Sequence, residues 1–320
     1  MGSEKSVRGI AGFSSAAAAD QRIAGVTAIG RAIHQLAADG AGEIEIRIGD
    51  GGALSAASRD DIERLRGGTP VAIRQGLADP LPLPSSWEIV RGTGKPGDGL
   101  VSRWLNRPVS QRITLLALKI PGARPVHVTV FNALLALVMF PIVLAGGEAG
   151  LVLGGILFQT ASILDGVDGE MARATFRTTP EGATMDSAVD IATNLLFVSA
   201  ITVHLALRDG DWIGWVGAWA VAVSLFGGMV IAWRSRAQGG PLGFDMLKKS
   251  APVRTPADAV YWAVQTLTGR DCFAFLYMVL IIAGLERTAL SIYAGVGAIW
   301  FPYVLITLLP RARASFRRAA

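Results

Sequence analysis

The chain has 320 residues, of which 51% are hydrophobic and 17% charged, and its mean hydropathy of +0.44 is too high for an ordinary soluble protein, so a membrane protein is expected. Its net charge of +5 and pI near 9.7 would also suit nucleic-acid binding, but basic residues flanking apolar spans produce the same balance, and no nucleic-acid partner is expected. The single cysteine, Cys272, excludes an internal disulfide, and no CxxC or Cys/His cluster offers a zinc or redox centre.

In chain order, the first twenty residues carry no apolar core of signal-peptide length, so no cleaved export signal is expected. Residues 1–95 are soluble in character. Val26, Ile29, Ile33 and Leu36 recur at helical spacing until Asp39-Gly40 ends the run. From Glu43 to Ile48 the pattern alternates, with Ile44, Ile46 and Ile48 on one face of a half-buried strand. Ser58 to Asp61 reads as a helix start and Val71 to Ile73 as a further short strand, which together make a small α/β domain. The stretch Ile10 to Asp20 is poor in glycine, and Gly49-Asp-Gly-Gly52 follows an edge-like strand without a following lysine, so it reads as a turn rather than a phosphate loop.

Residues 95–119 mix apolar side chains with Arg103, Arg107, Arg112 and Lys119, as a helix lying at a membrane surface does. Six apolar spans follow, at about Val126–Leu144, Ala149–Asp168, Ala183–Leu205, Trp212–Trp233, Asp271–Leu285 and Ala289–Leu309. Each is near the ~20 residues that cross ~30 Å of hydrocarbon, the fifth being short. The expected architecture is an all-α polytopic membrane domain of six transmembrane helices over residues 96–320, with a juxtamembrane surface helix, plus the α/β domain over 1–95. Arg173, Arg177, Arg234, Arg236, Lys248, Lys249, Arg254, Arg270 and the arginines from Arg311 to Arg318 fall on one side, against Arg208 and Arg287 on the other. That bias puts the α/β domain in the cytosol, and a bacterial inner membrane is the expected location. Trp212, Trp215, Trp219, Trp233 and Trp300 lie on or near span ends, as interfacial anchors do.

The chemistry concentrates where the second span ends and the third begins. Asp165 and Asp168 project within about 60° of each other on one helix, and Asp186 and Asp190 within about 40° on the next. Four carboxylates at the edge of hydrocarbon repel one another and are costly to desolvate, so their presence implies cations between the helices. Oxygen donors favour Mg²⁺ or Mn²⁺. Gly169 lies within about 40° of Asp165, and Gly182 precedes Asp186 by four residues, so each helix has a side-chain-free patch beside its acids. Arg173 follows the first pair and is placed to meet a phosphate.

The pattern D-x-x-D-G-x-x-A-R, eight residues, then G-x3-D-x3-D resembles the signature of the CDP-alcohol phosphotransferases, with all eight fixed positions present. That resemblance covers about residues 95–310 and implies transfer of a substituted phosphate from a CDP-alcohol to an acceptor hydroxyl, with release of CMP. It implies that Asp165, Asp168 and Asp186 hold a metal bridging the CDP diphosphate, and that Asp190 contributes to a second metal position and acts as general base. It further implies that Gly169, Ala172, Arg173 and Gly182 line the cytidine diphosphate pocket, and that the enzyme pairs as a homodimer. The chain departs from the family at Arg124-Pro-Val-His-Val-Thr129, where Val126 replaces an asparagine; His127 is a candidate substitute. Arg234, Arg236, Lys248, Lys249 and Arg270 are candidates for an acceptor phosphate, beside the plainer reading as charges that set topology. The α/β domain resembles a degenerate sugar-phosphate cytidylyltransferase domain, which leans the reading toward the inositol-phosphate branch, with CDP-diacylglycerol and CDP-inositol both open as donors. The contrasting reading is a divalent-cation transporter or sensor; it would not need the Gly169–Ala172–Arg173–Gly182 frame, and spans one to three show no clear repeat in spans four to six.

Overall fold

The structure, a computed structural model, describes residues 7–95, 98–237, 242 and 269–306. These residues fall into two compact units. The first takes the chain up to Thr93 together with Thr114–Ala123 and Met171–Arg177; the second takes Gly94–Ile113, Arg124–Glu170 and the chain from Thr178.

The first unit is built on a parallel three-stranded sheet. Its elements are β1 (Arg8–Phe13), α1 (Ala16–Asp20), β2 (Arg22–Ile23), β3 (Val26–Thr27), α2 (Ala28–Ala38), β4 (Glu43–Ile48), α3 (Ala56–Leu65), β5 (Val71–Gln75) and α4 (Ser86–Arg91). Parallel strands need crossover connections, and α2 and α3 are those connections. The sheet order β1-β4-β5 makes β4 the central strand, not the edge-like strand its alternation implied. Alternation holds, because Ile44, Ile46 and Ile48 do pack on Ile29, Ala32 and Ile33 of α2. On the other face Glu45 is also buried, ringed by the guanidiniums of Arg8, Arg47 and Arg74. An acidic residue thus reads as solvent-facing by pattern while three cations cover it.

Helix α2 begins where the apolar periodicity begins, with Thr27 Oγ1 accepting from the Gly30 N–H. Helix α3 begins earlier than expected. Ser55, not Ser58, is the N-cap, and Ser58 Oγ donates to Asp20 instead. Gly12 in β1 is required by close approach, since an added Cβ would lie 2.1 Å from the Ala78 carbonyl oxygen. At the other border of this unit Arg31, buried, donates to the carbonyls of Ile23, Ala24 and Ala174, and Arg64 donates to that of Thr175.

The second unit is helical. A π-helical stretch (Ser102–Asn106) leads into α5 (Arg107–Ala117), followed by α6 (Pro125–Ala145), α7 (Gly147–Ala174), α8 (Pro180–Asp209), α9 (Ile213–Ala237), α10 (Arg270–Ile282) and α11 (Glu286–Ile306). Helices α6 to α9 are long and apolar enough to cross a membrane. They lie where the first four spans were expected. The fifth and sixth correspond to α10, of 13 residues, and α11, of 21, and the expected end at Leu309 lies outside the described residues. The core is aromatic at its centre, with Phe158 of α7 stacked on Phe197 of α8 at 4.1 Å and Tyr277 of α10 edge-on to Phe197. Small residues let the helices close up; an added Cβ on Gly217 of α9 would lie 2.4 Å from Thr202 of α8. Leu134, Leu137 and Val138 of α6 and Trp215 and Trp219 of α9 remain exposed, as lipid-facing side chains are.

Candidate metal centre

Helix α7 carries Asp165 and Asp168 near its C-terminal end, and α8 carries Asp186 and Asp190 in its first turns. Helix α8 starts at Thr179, whose Oγ1 accepts from the Gly182 N–H, with Pro180 at the first helical position, where its missing N–H costs nothing. The packing brings together one oxygen each from Asp165, Asp186 and Asp190, all within 4.8 Å of one another. All three residues are half-buried. A donor set of carboxylate oxygens alone fits a hard divalent ion.

Asp168 does not join that group. It is buried, and its Oδ2 accepts a 2.5 Å hydrogen bond from Thr129 Oγ1 of α6. The threonine of the Arg124–Thr129 stretch therefore has a clear partner. Its neighbour His127 has a different one: Nδ1 accepts from the Arg124 N–H at 3.3 Å, which caps the start of α6 and leaves Val126 exposed.

Arg270, at the first position of α10 and expected from the sequence only as one of several candidates for an acceptor phosphate, meets the carboxylates themselves. Its Nη1 is 2.9 Å from Asp165 Oδ1 and also meets Asp190 Oδ1. Nε and Nη2 of the same guanidinium are buried without an acceptor among the described residues. The available signal was a lone charged pair, Arg270-Asp271, opening an apolar run.

Gly169 and Ala172 are half-buried on α7, and Gly182 is exposed, an added Cβ meeting nothing nearer than Thr179 Oγ1 at 3.1 Å. Arg173 Nε donates to the Thr93 carbonyl at 2.7 Å. Of the remaining candidate cations, Arg234 and Arg236 close the last turn of α9, whereas Lys248 and Lys249 lie outside the described residues.

A family model described as CDP-alcohol phosphatidyltransferase matches residues 123–300, more than half of the chain and the whole of this centre. The chain belongs to the CDP-alcohol phosphatidyltransferase family. This family generally uses divalent metals, in keeping with the acidic cluster. Among curated proteins, the chain is 34% identical over 200 residues to a "Bifunctional IPC transferase and DIPP synthase" of Aquifex aeolicus, covering 62% of this chain and 44% of that protein. Proteins of the same name match from Thermococcus kodakarensis, 32% identical over 165 residues (52% of this chain, 35% of the relative), and from Rubrobacter xylanophilus, 39% identical over 130 residues (40% and 29%). The chain thus spans less than half the length of each of these relatives.

Proposed function

We propose that this protein catalyses the metal-dependent transfer of a substituted phosphate from a CDP-alcohol to an acceptor hydroxyl, with CMP as the leaving group. The observation that carries the reading is the meeting of Asp165, Asp186 and Asp190 oxygens within 4.8 Å at the facing ends of two apolar helices. Asp165 and Asp186 would hold a divalent ion, Mg²⁺ or Mn²⁺, Asp190 would reach a second ion, and Asp168, which accepts from Thr129 through Oδ2, would offer its other oxygen as a further ligand. When bound, such ions neutralise charge on the diphosphate and on the departing CMP.

The protein's own groups do the rest. Gly169, Ala172, Arg173 and Gly182 line the cytidine diphosphate pocket. Asp190 accepts the acceptor's hydroxyl proton as the new oxygen–phosphorus bond forms and the bond to CMP breaks. Arg270 engages Oδ1 of that carboxylate and so holds it in place. The two unaccepted Arg270 nitrogens then suit an anionic phosphate oxygen. In this reading α10 and α11 complete a six-span domain over residues 96–320, which pairs as a homodimer. Residues 1–95 form a non-catalytic cytosolic domain related to nucleotidyltransferases. The positive-inside bias supports a centre at the cytosolic edge of a bacterial inner membrane. The names carried by the relatives support an inositol-phosphate donor or acceptor over other CDP-alcohol chemistry.

The test is CMP release from radiolabelled CDP-inositol and CDP-diacylglycerol by the purified chain, with and without Mg²⁺ or Mn²⁺, against inositol phosphate, glycerol phosphate, serine and lipid hydroxyls. Metal-dependent release with one donor–acceptor pair is expected. No release with any pair, together with intact divalent-cation uptake into vesicles, would replace the enzyme by a transporter.

A further inference from the structure

Glu170 lies within the carboxylate motif and points away from it. At 100° per residue it projects about 140° from Asp165 and about 160° from Asp168, so it occupies the far side of α7. It is fully buried there. Two groups of α5 meet the same oxygen: Arg107 Nη1 and Ser110 Oγ both donate to Glu170 Oε1 at 2.7 Å. The other two nitrogens of Arg107 clasp both oxygens of Asp98, at 2.8 and 3.0 Å. Gly166 makes room for this junction, since an added Cβ would lie 3.2 Å from Ser110 Oγ.

The same segment holds α7 about two and three turns nearer its start and also reaches α10. Asn106 Oδ1 accepts from Gln159 Nε2 at 2.8 Å, and its Nδ2 donates to Ser162 Oγ. The Ser102 N–H donates to Asp271 Oδ2 at 2.7 Å, beside the residue that enters the carboxylate group. Gly99 is fitted to that contact, because an added Cβ would come within 2.5 Å of Asp271 Oδ2. Residues 98–110 therefore grip the helix that carries Asp165 and the first turn of the helix that carries Arg270.

A buried ion pair is weak grounds for stability, because apolar residues of similar size often replace one at no loss; what it fixes is geometry. Metal-ligand oxygens need that geometry. We propose that the Asp98–Arg107–Glu170 triad, with Ser110 and the Ser102–Asp271 contact, is a positioning strap that sets the rotation of α7 and the start of α10, and so the cation affinity of the Asp165–Asp186–Asp190 group. This rests on the metal reading above and assigns Arg107, expected from the sequence on a membrane-surface face, and Glu170 as positioning residues.

The test measures Mn²⁺ binding to the full chain in detergent by loss of the free-ion EPR signal, alongside CMP release. Arg107→Gln is expected to weaken Mn²⁺ binding about tenfold, as loss of outer-shell support does, with Arg107→Lys recovering part of it. Arg112→Gln, whose guanidinium meets the Pro108 carbonyl of its own helix, is expected to bind as the wild type does. Arg107→Met combined with Glu170→Met should fold yet still bind Mn²⁺ weakly. Wild-type affinity in folded Arg107→Gln, or in the double variant, overturns the strap. Should Arg107→Gln not fold, Ser110→Ala carries the test: about threefold weaker binding is expected for one lost hydrogen bond, and unchanged binding overturns the proposal. Wild-type Mn²⁺ binding without CMP release sinks the enzyme reading and leaves the strap standing, whereas CMP release with unaltered variants sinks the strap alone. A wild type that binds no Mn²⁺ overturns both the strap and the metal reading.

Discussion

Both units bury acidic side chains, and they balance them in opposite ways. In the first, one carboxylate, Glu45, has three guanidiniums around it. In the second, the carboxylates of Asp165, Asp186 and Asp190 gather around the guanidinium of Arg270. A surplus of cations around one acid closes a charge account within the fold, and such a group serves structure. A surplus of acids leaves negative charge for an added cation to neutralise, and such a group serves chemistry.

The strongest way to sharpen this contrast is Asp190→Asn. CMP release should fall by about 10² to 10⁴-fold, the usual contribution of a general base, while CDP binding and Mn²⁺ binding at the Asp165–Asp186 position persist in equilibrium dialysis. Retained turnover would remove the base assignment and weaken the chemical half of the comparison. Next in size is Arg270→Gln. In EDTA it should lose about 3 kcal/mol in thermal or denaturant unfolding, because the acids lose their partner, and Mg²⁺ should restore more stability to it than to the wild type. Equal destabilisation with and without Mg²⁺ would mean that the carboxylates are not a cation site.

Smaller effects test the structural half. Gly12→Ala should destabilise by about 1 to 3 kcal/mol, since its Cβ would meet backbone at 2.1 Å and the Ala78 segment must shift. Mn²⁺ affinity is the control that should stay constant. The smallest effect is expected from Glu45→Gln, read as a pH profile. The Arg47 hydrogen bond, with Arg8 and Arg74 nearby, holds the Glu45 carboxyl below its ordinary value of 4.5. Its stabilising share is therefore complete above about pH 4.5 and is lost as pH falls through the lowered value. The variant should show a shallower acid limb than the wild type. An unchanged limb would leave Glu45 as a bystander among its arginines.

Much of the candidate site was legible in the chain itself. Asp165, Asp186 and Asp190 meet, as the shared helix faces implied. Asp168 lies outside that group, and its Oδ2 accepts from Thr129 of another helix, a contact that helical spacing cannot reveal. His127 shows the same limit: a histidine near an apolar span invites a functional reading, and its ring nitrogen caps its own helix.

By itself the sequence determined what depends on near neighbours. Apolar periodicity set α2, β4 and the four membrane-length helices, and spacings of three and four residues set each carboxylate pair on one face. Tertiary structure alone decided β4's central place in its sheet, the ring of arginines around Glu45, the entry of Arg270 beside Asp190, 80 residues away in the chain, and the turn of Glu170 toward Arg107. The physical reason is range. A residue's face on its own helix or strand follows from a fixed geometry per residue, whereas a long charged side chain finds its partner only after helices have packed and left that partner in need of a counter-charge.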